Sequence, residues 1–419
     1  MALFTPLAPI SALAVVSAER QGIAMNQKIL DLCALTAAAL RGETIQELSD
    51  YGNDLFLAAR ANGISGLVYP AIGEPAMVMR ERNRFMSDWL QYQARHIAQT
   101  EAVTELETIL GKAGIDHLYL KGTILKSCYP EPYMRSMGDI DMLVRVSDMD
   151  KIRDVLLSAG YRNLENSEAH DIYGKDRNIL LEVHRSIDVE SNEERWRLFA
   201  SPWDHVECVD GHLFAFTSEY FLLHLLRHLT KHLLSSGVGL RSVLDIGIYA
   251  EKMKEAINPD ILTTMLHATN LETFFGNMLI LNQRLFGLDP VPDWRLQGLE
   301  EADFIEALTA YVFASGVHGK AEGFNPQAVG MTKNTMRTGT IRKGRASYLL
   351  HVAFPARKVL LVRYPYLEKH RWLLPWAWIS RIFKMMFKKT RSTVHKIRNL
   401  KVSDEAISQQ TELFRKLGL

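Results

Sequence analysis

Apolar residues between positions 26 and 112 recur at intervals of three and four, as in Ile29, Leu30, Leu32, Cys33, Leu35 and Leu40. The same spacing over 48–61 and 89–110 predicts an all-helical N-terminal region. Gly111 to Ile115 interrupts that period. Beyond it a short apolar run at 117–120 predicts a strand feeding the turn Lys121-Gly122-Thr123. The run 139–146 predicts a second strand, and Ser147 is placed to cap a helix to about Ser158 that Gly160 would close. A third apolar strand is expected at 179–184, and 206–216 has the pattern of a hairpin turning at Asp210-Gly211. These elements predict a mixed sheet of about five strands.

From Ser218 the helical period returns, with helices expected at about 218–235, 241–255, 258–267, 271–286 and 301–314. Residues 316–343 are rich in Gly, Thr and Asn and are expected to form a loop or lid. Residues 357–401 carry many Lys and Arg against the single acid Glu368, interleaved with Trp372, Trp376, Trp378, Phe383 and Phe387. The expected organisation is a leader at 1–24, a helical region at 25–112, an α/β core at 113–217, a helical domain at 218–315, and a loop with a basic, Trp-rich arm at 316–419. The first eighteen residues are apolar and uncharged, but no Lys or Arg precedes them and Pro6 and Pro9 interrupt them. A disordered leader, or an upstream start ahead of Met25, therefore fits better than a secretory signal.

Composition adds bounds. A chain of 419 residues with 47% hydrophobic content can bury a large core and allows more than one domain. A net charge of +1 supplies no global field for nucleic acid. Cys33, Cys128 and Cys208 are too few and too far apart for a disulfide framework, so a reduced, cytoplasmic setting is expected. No uninterrupted apolar run of about eighteen residues lies beyond the leader, so no membrane span is expected. Pro365 and Pro375 divide the basic arm into short pieces, which suits a packed arm with a solvated basic face. Peripheral contact with an acidic membrane is the alternative. The clustering of the arm's aromatic residues disfavours a nucleic-acid partner.

The chemistry concentrates in the central segment. Asp139 and Asp141 stand at i, i+2 in an apolar run, so a strand presents both carboxylates on one face. Paired acids of this kind suit Mg²⁺, with Mn²⁺ as the alternative ion, because a hard cation takes carboxylate oxygens and keeps positions for substrate phosphates. Gly122 permits close approach to a phosphate, Thr123 offers a hydroxyl at a helix start, and Lys121 and Arg135 are candidate phosphate clamps. Glu182 on the third strand is the candidate third acid, and His184 follows it on the same face, as a site or a core residue. His224, His228 and His232 fall at i, i+4 and i+8, but no Cys or acid nearby completes a zinc set, so a structural or substrate-facing role is expected. Arg241 and Asp245 are spaced for a helix ion pair.

Lys121-Gly122-Thr123, then Arg135-Ser136-Met137-Gly138-Asp139-Ile140-Asp141-Met142-Leu143-Val144, then Leu181-Glu182-Val183-His184, resembles a largely uncharacterised family of bacterial nucleotidyltransferases in the DNA polymerase beta-like superfamily. His228 to His232 and Val238 to Ile246 resemble that family's helical segment after the sheet. The likeness covers most of the chain from Met25 to about Lys388 and is strongest over 118–250. Thr123 stands where Ser is commoner, and the gap between turn and acids is slightly long for the superfamily. The resemblance implies an α+β fold, a polymerase beta-like mixed sheet flanked by N-terminal and C-terminal helical regions. It implies Asp139, Asp141 and Glu182 as catalytic metal ligands and Gly122 and Thr123 as the phosphate turn. Lys231 or Arg241 would reach substrate phosphate, and His184, His228, His232 and Asp245 would line the substrate. The implied activity is Mg²⁺-dependent transfer of a nucleoside monophosphate from an NTP to an acceptor, which could be a small molecule, a sugar, a peptide or a protein. The alternatives are phosphoryl transfer from the same site, or a non-catalytic nucleotide-binding regulatory module.

Overall fold

The computed structural model describes residues 27–419 apart from 50–52, 75, 168, 177–178, 189–193, 290–293, 295–297, 299–300, 320–323, 362 and 388–401. The expected leader at 1–24 and the arm residues 388–401 lie outside the described residues.

Four helices open the chain: α1 (Gln27–Arg41), α2 (Asp54–Ala61), the single turn α3 (Ser65–Val68) and the 35-residue α4 (Met79–Ala113). Gly114, at φ 62°, adopts the left-handed conformation that ends α4 and turns the chain into the sheet. The α/β part runs β1 (His117–Tyr119), α5 (Gly122–Leu125), β2 (Ile140–Val144), α6 (Met149–Ser158), β3 (Arg162–Asn166), β4 (His170–Lys175), β5 (Ile179–His184), β6 (Val206–Asp210) and β7 (Leu213–Phe216). Helices α7 (Ser218–Leu233), α8 (Leu240–Met253), α9 (Pro259–Thr269), α10 (Glu272–Phe286) and α11 (Ala302–Ser315) follow. The chain closes with α12 (Pro326–Thr338), α13 (Ile341–Ala353), α14 (Arg357–Leu361), α15 (Leu374–Phe387) and α16 (Asp404–Lys416).

The seven strands lie in the order β3-β4-β5-β2-β1-β7-β6, with β2 parallel to β5 and β1 parallel to β7 in an otherwise antiparallel sheet. Period-2 alternation divides its side chains between two cores. Ile140, Met142, Val144, Leu181 and Val183 pack with Leu106 and Leu110 of α4 and with Ile152 and Leu156 of α6. Leu118, Leu120 and Leu143 face the other way, into a large core shared with α7, α8 and α10. The two acids of β2 and β5 belong to this second face, so they lie between the sheet and the C-terminal helices. The observed fold is the expected α+β arrangement of a mixed sheet flanked by helices.

Several sequence expectations are corrected. The sheet has two further strands, β3 and β4, because β3 is a largely exposed edge strand of polar residues with no apolar alternation to reveal it. The strand expected at 139–146 is Ile140–Val144, which leaves Asp139 just ahead of it. Ser147 lies inside a 3₁₀ turn, and Asp148 is the residue preceding α6. Residues 316–343, expected as loop, contain α12 and the start of α13. Asn325 caps α12 by accepting from Gln327 N at 3.0 Å, with Pro326 at the first helical position. The helix buries Val329, Thr332 and Thr335, and Thr335 Oγ1 donates to the Met331 carbonyl at 2.9 Å. Threonine thus takes the apolar role there. Its glycine is a packing device, since a Cβ on Gly330 would fall 2.3 Å from the Tyr348 ring.

The C-terminal arm has two parts. Around α14 and α15, Leu360, Tyr364, Leu367 and Ala377 form a small core of their own, while Trp372 and Trp376 stay 73% and 64% exposed. Helix α16 returns to the main core, where Phe414 meets Tyr311 edge-on at 5.5 Å. Among the described residues, no helix is long and apolar enough to cross a membrane.

Candidate active site

Strand register assembles the acids. β2 and β5 run parallel with Asp141 opposite Glu182 and Leu143 opposite His184, while β4 runs antiparallel to β5 with His170 opposite His184. Because neighbours in register share a face, Asp141, Glu182, His184 and His170 project together. Asp141 is 5% exposed. Its Oδ1 accepts from Lys121 Nζ at 2.8 Å, and His184 Nε2 lies 2.9 Å from the same oxygen. His184 Nε2 is also 3.4 Å from Glu182 Oε2, and His170 Nε2 is 4.0 Å from that oxygen.

Charge in this cluster is unevenly settled. Burial, then repulsion from Asp141 and Glu182, pushes the Asp139 carboxyl up to about 6, against the pull of Lys121. Burial would raise the Asp141 carboxyl as well, but Lys121 and His184 outweigh it and hold it below the usual carboxylate range. The His184 contact lowers Glu182, against the opposing effect of burial. Burial disfavours charged Lys121 and charged His184, yet Asp141 outweighs that cost for Lys121 and Asp141 with Glu182 does so for His184, so both are raised. The result is one carboxylate fully compensated by cations and a neighbour, Asp139, that is not.

The turn before α5 is strained. Lys121 has φ 46° and ψ −112°, a conformation that costs a non-glycine residue about 1–3 kcal/mol. Leu120 N, donating to the Asp141 carbonyl at 3.0 Å, anchors the turn to β2. Gly122 is required sterically, since a Cβ there would lie 2.7 Å from both Arg135 Nη1 and Met137 Sδ. Thr123 Oγ1 faces Met137 Sδ at 3.6 Å.

Arg135, a candidate phosphate clamp, is buried and already paired with a carboxylate. It is 8% exposed, and its Nε and Nη2 donate to Asp245 Oδ1 and Oδ2 at 3.2 and 2.9 Å. Tyr129 OH donates to Asp245 Oδ1 at 2.8 Å, and Arg135 Nη1 donates to the Ser136 carbonyl at 2.9 Å. The expected Arg241–Asp245 helix pair is therefore replaced by a pair across the fold. A bidentate fork on a buried carboxylate is better satisfied than an i, i+4 pair on a helix surface. Arg241 Nη1 instead donates to Ser136, at 3.0 Å to Oγ and 3.2 Å to the carbonyl. The effect of both arginines is to pin residues 135–136, just ahead of Asp139.

His224, His228 and His232 form a ladder along α7, with ring centroids 6.4 and 4.4 Å apart. His232 Nδ1 is 2.9 Å from Ser236 Oγ, and Lys231 is exposed at the end of the helix. Burial, followed by the nearby Lys121, pushes the buried His224 down to about 3, and burial pushes His228 well below the usual range. Between pH 6.5 and 3 the unfolded chain binds a proton at His224 that the folded chain does not, so stability rises with pH across that window. His224→Leu is expected to flatten the slope of unfolding free energy between those limits by up to ~1.4 kcal/mol per pH unit. Parallel slopes in urea titrations of wild type and variant would contradict this.

His170 is the site residue that sequence reasoning missed. Its signal was a histidine aligned opposite His184, visible only once β4 is known to pair with β5. His170, Glu182 and His184 are close enough to hold a metal ion together. Asp139, Asp141 and Glu182 offer carboxylate oxygens on the same strand segments, but among the described residues it is His170, Glu182 and His184, not the three acids, whose ligand atoms all lie within 4.8 Å of one another. Neither the Lys121 nor the His184 contact uses Asp141 Oδ2. Oxygen donors and uncompensated negative charge at Asp139 fit a hard divalent cation.

A family model described as an uncharacterised nucleotidyltransferase matches residues 53–287. No curated protein and no solved structure matches the chain. The matched span is more than half of the sequence and contains the strained turn, both acids of the β2 segment, Glu182 and Asp245. The chain belongs to that nucleotidyltransferase family.

Proposed function

We propose that the protein is a Mg²⁺-dependent nucleotidyltransferase that moves a nucleoside monophosphate from an NTP to a hydroxyl or phosphate acceptor and releases pyrophosphate. The observation that carries this reading is the register setting Asp141 against Glu182, with Asp139 at the entry to the same strand. Asp139, Asp141 and Glu182 would hold the metal. When bound, Mg²⁺ supplies neutralisation of triphosphate charge and a fixed alignment of the phosphates.

The other roles belong to the chain itself. Lys121 keeps Asp141 ionised and fixed in direction. Gly122 lets the Lys121 turn pack directly against Arg135 and Met137, which fixes the turn beside the acids. The acceptor oxygen attacks the α-phosphorus, the bond to the bridging oxygen breaks, and pyrophosphate departs with that electron pair. A hydroxyl acceptor's proton passes to Glu182, beside which His184 stands as a neighbouring donor.

The test is Mg²⁺-dependent binding and turnover of NTPs labelled at the α or the γ phosphate, with Asp139→Ala/Asp141→Ala as control. α-Label should pass to product with the wild type only. Transfer of γ-label would make the protein a kinase, and absence of any metal-dependent nucleotide binding would sink the proposal.

A further inference from the structure

A cavity of about 170 Å³ lies on the N-terminal side of the acids, between the first half of α4 and the segment Arg135-Ser136-Met137. Its charged lining is Arg60, Arg95, Lys126 and Arg135 against the one carboxylate Asp88. Asp245 balances Arg135 from outside the cavity. Asp88 already accepts from Ser65 Oγ at 2.6 Å and has Arg60 at 3.8 Å. Lys126 is 7% exposed, and its Nζ donates to the neutral Gln99 Oε1 at 2.7 Å. Neither Lys126 nor Arg95 makes an ion pair among the described residues. Arg241, bonded to the adjoining Ser136, adds a further cation that feels Asp245 but makes no direct ion pair among the described residues.

This is an unusual balance for a structural network. A buried cation ordinarily has a carboxylate. Here the neighbouring cations act against the buried one as well: burial, then Arg135 and Arg95, pushes the Lys126 ammonium down to about 8. The floor is fixed by Lys126 and Arg135, whereas the rim carries the exposed Arg60 and Arg95, so a ligand can enter from solvent. The volume is well below the ~300 Å³ or more of a typical small-molecule pocket, which makes it too small for a whole nucleotide. At ~30 Å³ per water it suits a single oxyanion with its bridging waters. Several converging cations favour a phosphoryl dianion over a carboxylate.

Position then suggests whose phosphoryl group it is. Ser136 and Met137 line the cavity and precede Asp139 by three and two residues, so the chain places the cavity wall within ~11 Å of the first acid. The opposite side of the same segment packs on Gly122, where the nucleotide turn is expected.

We infer that this cavity binds a phosphoryl group of the second substrate, making the acceptor a phosphorylated molecule. The anion affinity stands on the cavity alone, whereas its assignment to the acceptor rests on the nucleotidyl transfer reading.

The test titrates inorganic phosphate and acetate, and separately a non-hydrolysable NTP with Mg²⁺, into the full chain and its Lys126→Met and Arg95→Gln variants. Phosphate should bind the wild type more tightly than acetate and should not be displaced by the nucleotide. Each variant should weaken phosphate by ~10-fold or more, the loss of one charge-assisted bond, while nucleotide affinity stays within about twofold. Arg95 is exposed on α4, so its variant keeps the test open if Lys126→Met fails to fold. Failure to bind phosphate, equal binding of acetate, or phosphate binding that survives both substitutions would overturn the inference. Displacement of phosphate by the nucleotide would also overturn it, by giving the cavity to the NTP. Loss of nucleotide binding with phosphate binding intact would fault the nucleotidyl transfer reading and leave the cavity's ligand class standing.

Discussion

Asp245→Asn is expected to cost about 3–5 kcal/mol of stability and to depress turnover with it. The carboxylate takes both arms of the Arg135 fork and the Tyr129 hydroxyl in a buried setting. An amide can neither offset the guanidinium charge nor accept from all three donors, and the uncompensated buried cation is the larger part of the cost. Arg135 also holds the Ser136 carbonyl, and Gly122 packs directly on its guanidinium, so its movement would shift both the segment that carries Asp139 and the Lys121 turn. Urea unfolding should show a lower midpoint with the slope unchanged. Tyr129→Phe, which removes one of the three donors, should cost only about 1 kcal/mol. A charge-free Arg135→Met/Asp245→Leu double variant should recover much of the stability without recovering turnover. A loss below ~1 kcal/mol in Asp245→Asn would mean that the pair does not brace the site.

Asp139→Asn should separate function from stability. Its carboxyl is already pushed up to about 6 by burial and by the charges on Asp141 and Glu182, so the ionised side chain is a burden on the fold at neutral pH. Removing that charge should leave the melting temperature unchanged or raise it, the pattern expected where a functional group is held against local stability. Metal-dependent turnover should fall by ~10³-fold or more, equivalent to about 4 kcal/mol of transition-state stabilisation. Asp141→Asn should lose both properties, because it leaves Lys121 and His184 facing an amide in place of a carboxylate. A clear fall in melting temperature for Asp139→Asn, with turnover retained, would place this acid outside the metal site.

How legible these features were in the sequence follows from the range of the forces involved. β5 falls where the apolar run 179–184 predicts it, and β6 and β7 turn at Gly211, whose φ of 56° suits the turn glycine expected there. These are local signals, set by alternation and turn chemistry. The convergence of Asp141 and Glu182 was also foreseeable, since both acids interrupt apolar strands. Other features were hidden because they depend on distant partners. Arg135 and Asp245 are 110 residues apart, and the neighbour Asp245 has on its own helix, Arg241, was the misleading choice. His170 becomes visible only through pairing with β5, because β3 beside it is too polar to announce a hairpin. Helix α12 was obscured by threonines that are buried by bonding to their own helix. The cationic cavity could not be read at all, since Arg60, Arg95, Lys126 and Arg135 come from separate elements.

The decisive measurement is the position of a bound metal. The protein crystallised with a non-hydrolysable NTP and Mn²⁺, which shares the oxygen preference of Mg²⁺ and gives an anomalous signal, should show the ion ligated by Asp139 and Asp141 and by triphosphate oxygens, with Glu182 adjacent. An ion seated instead among His170, Glu182 and His184, with the nucleotide away from Asp139 and Asp141, would contradict the assignment of these acids to nucleotidyl transfer.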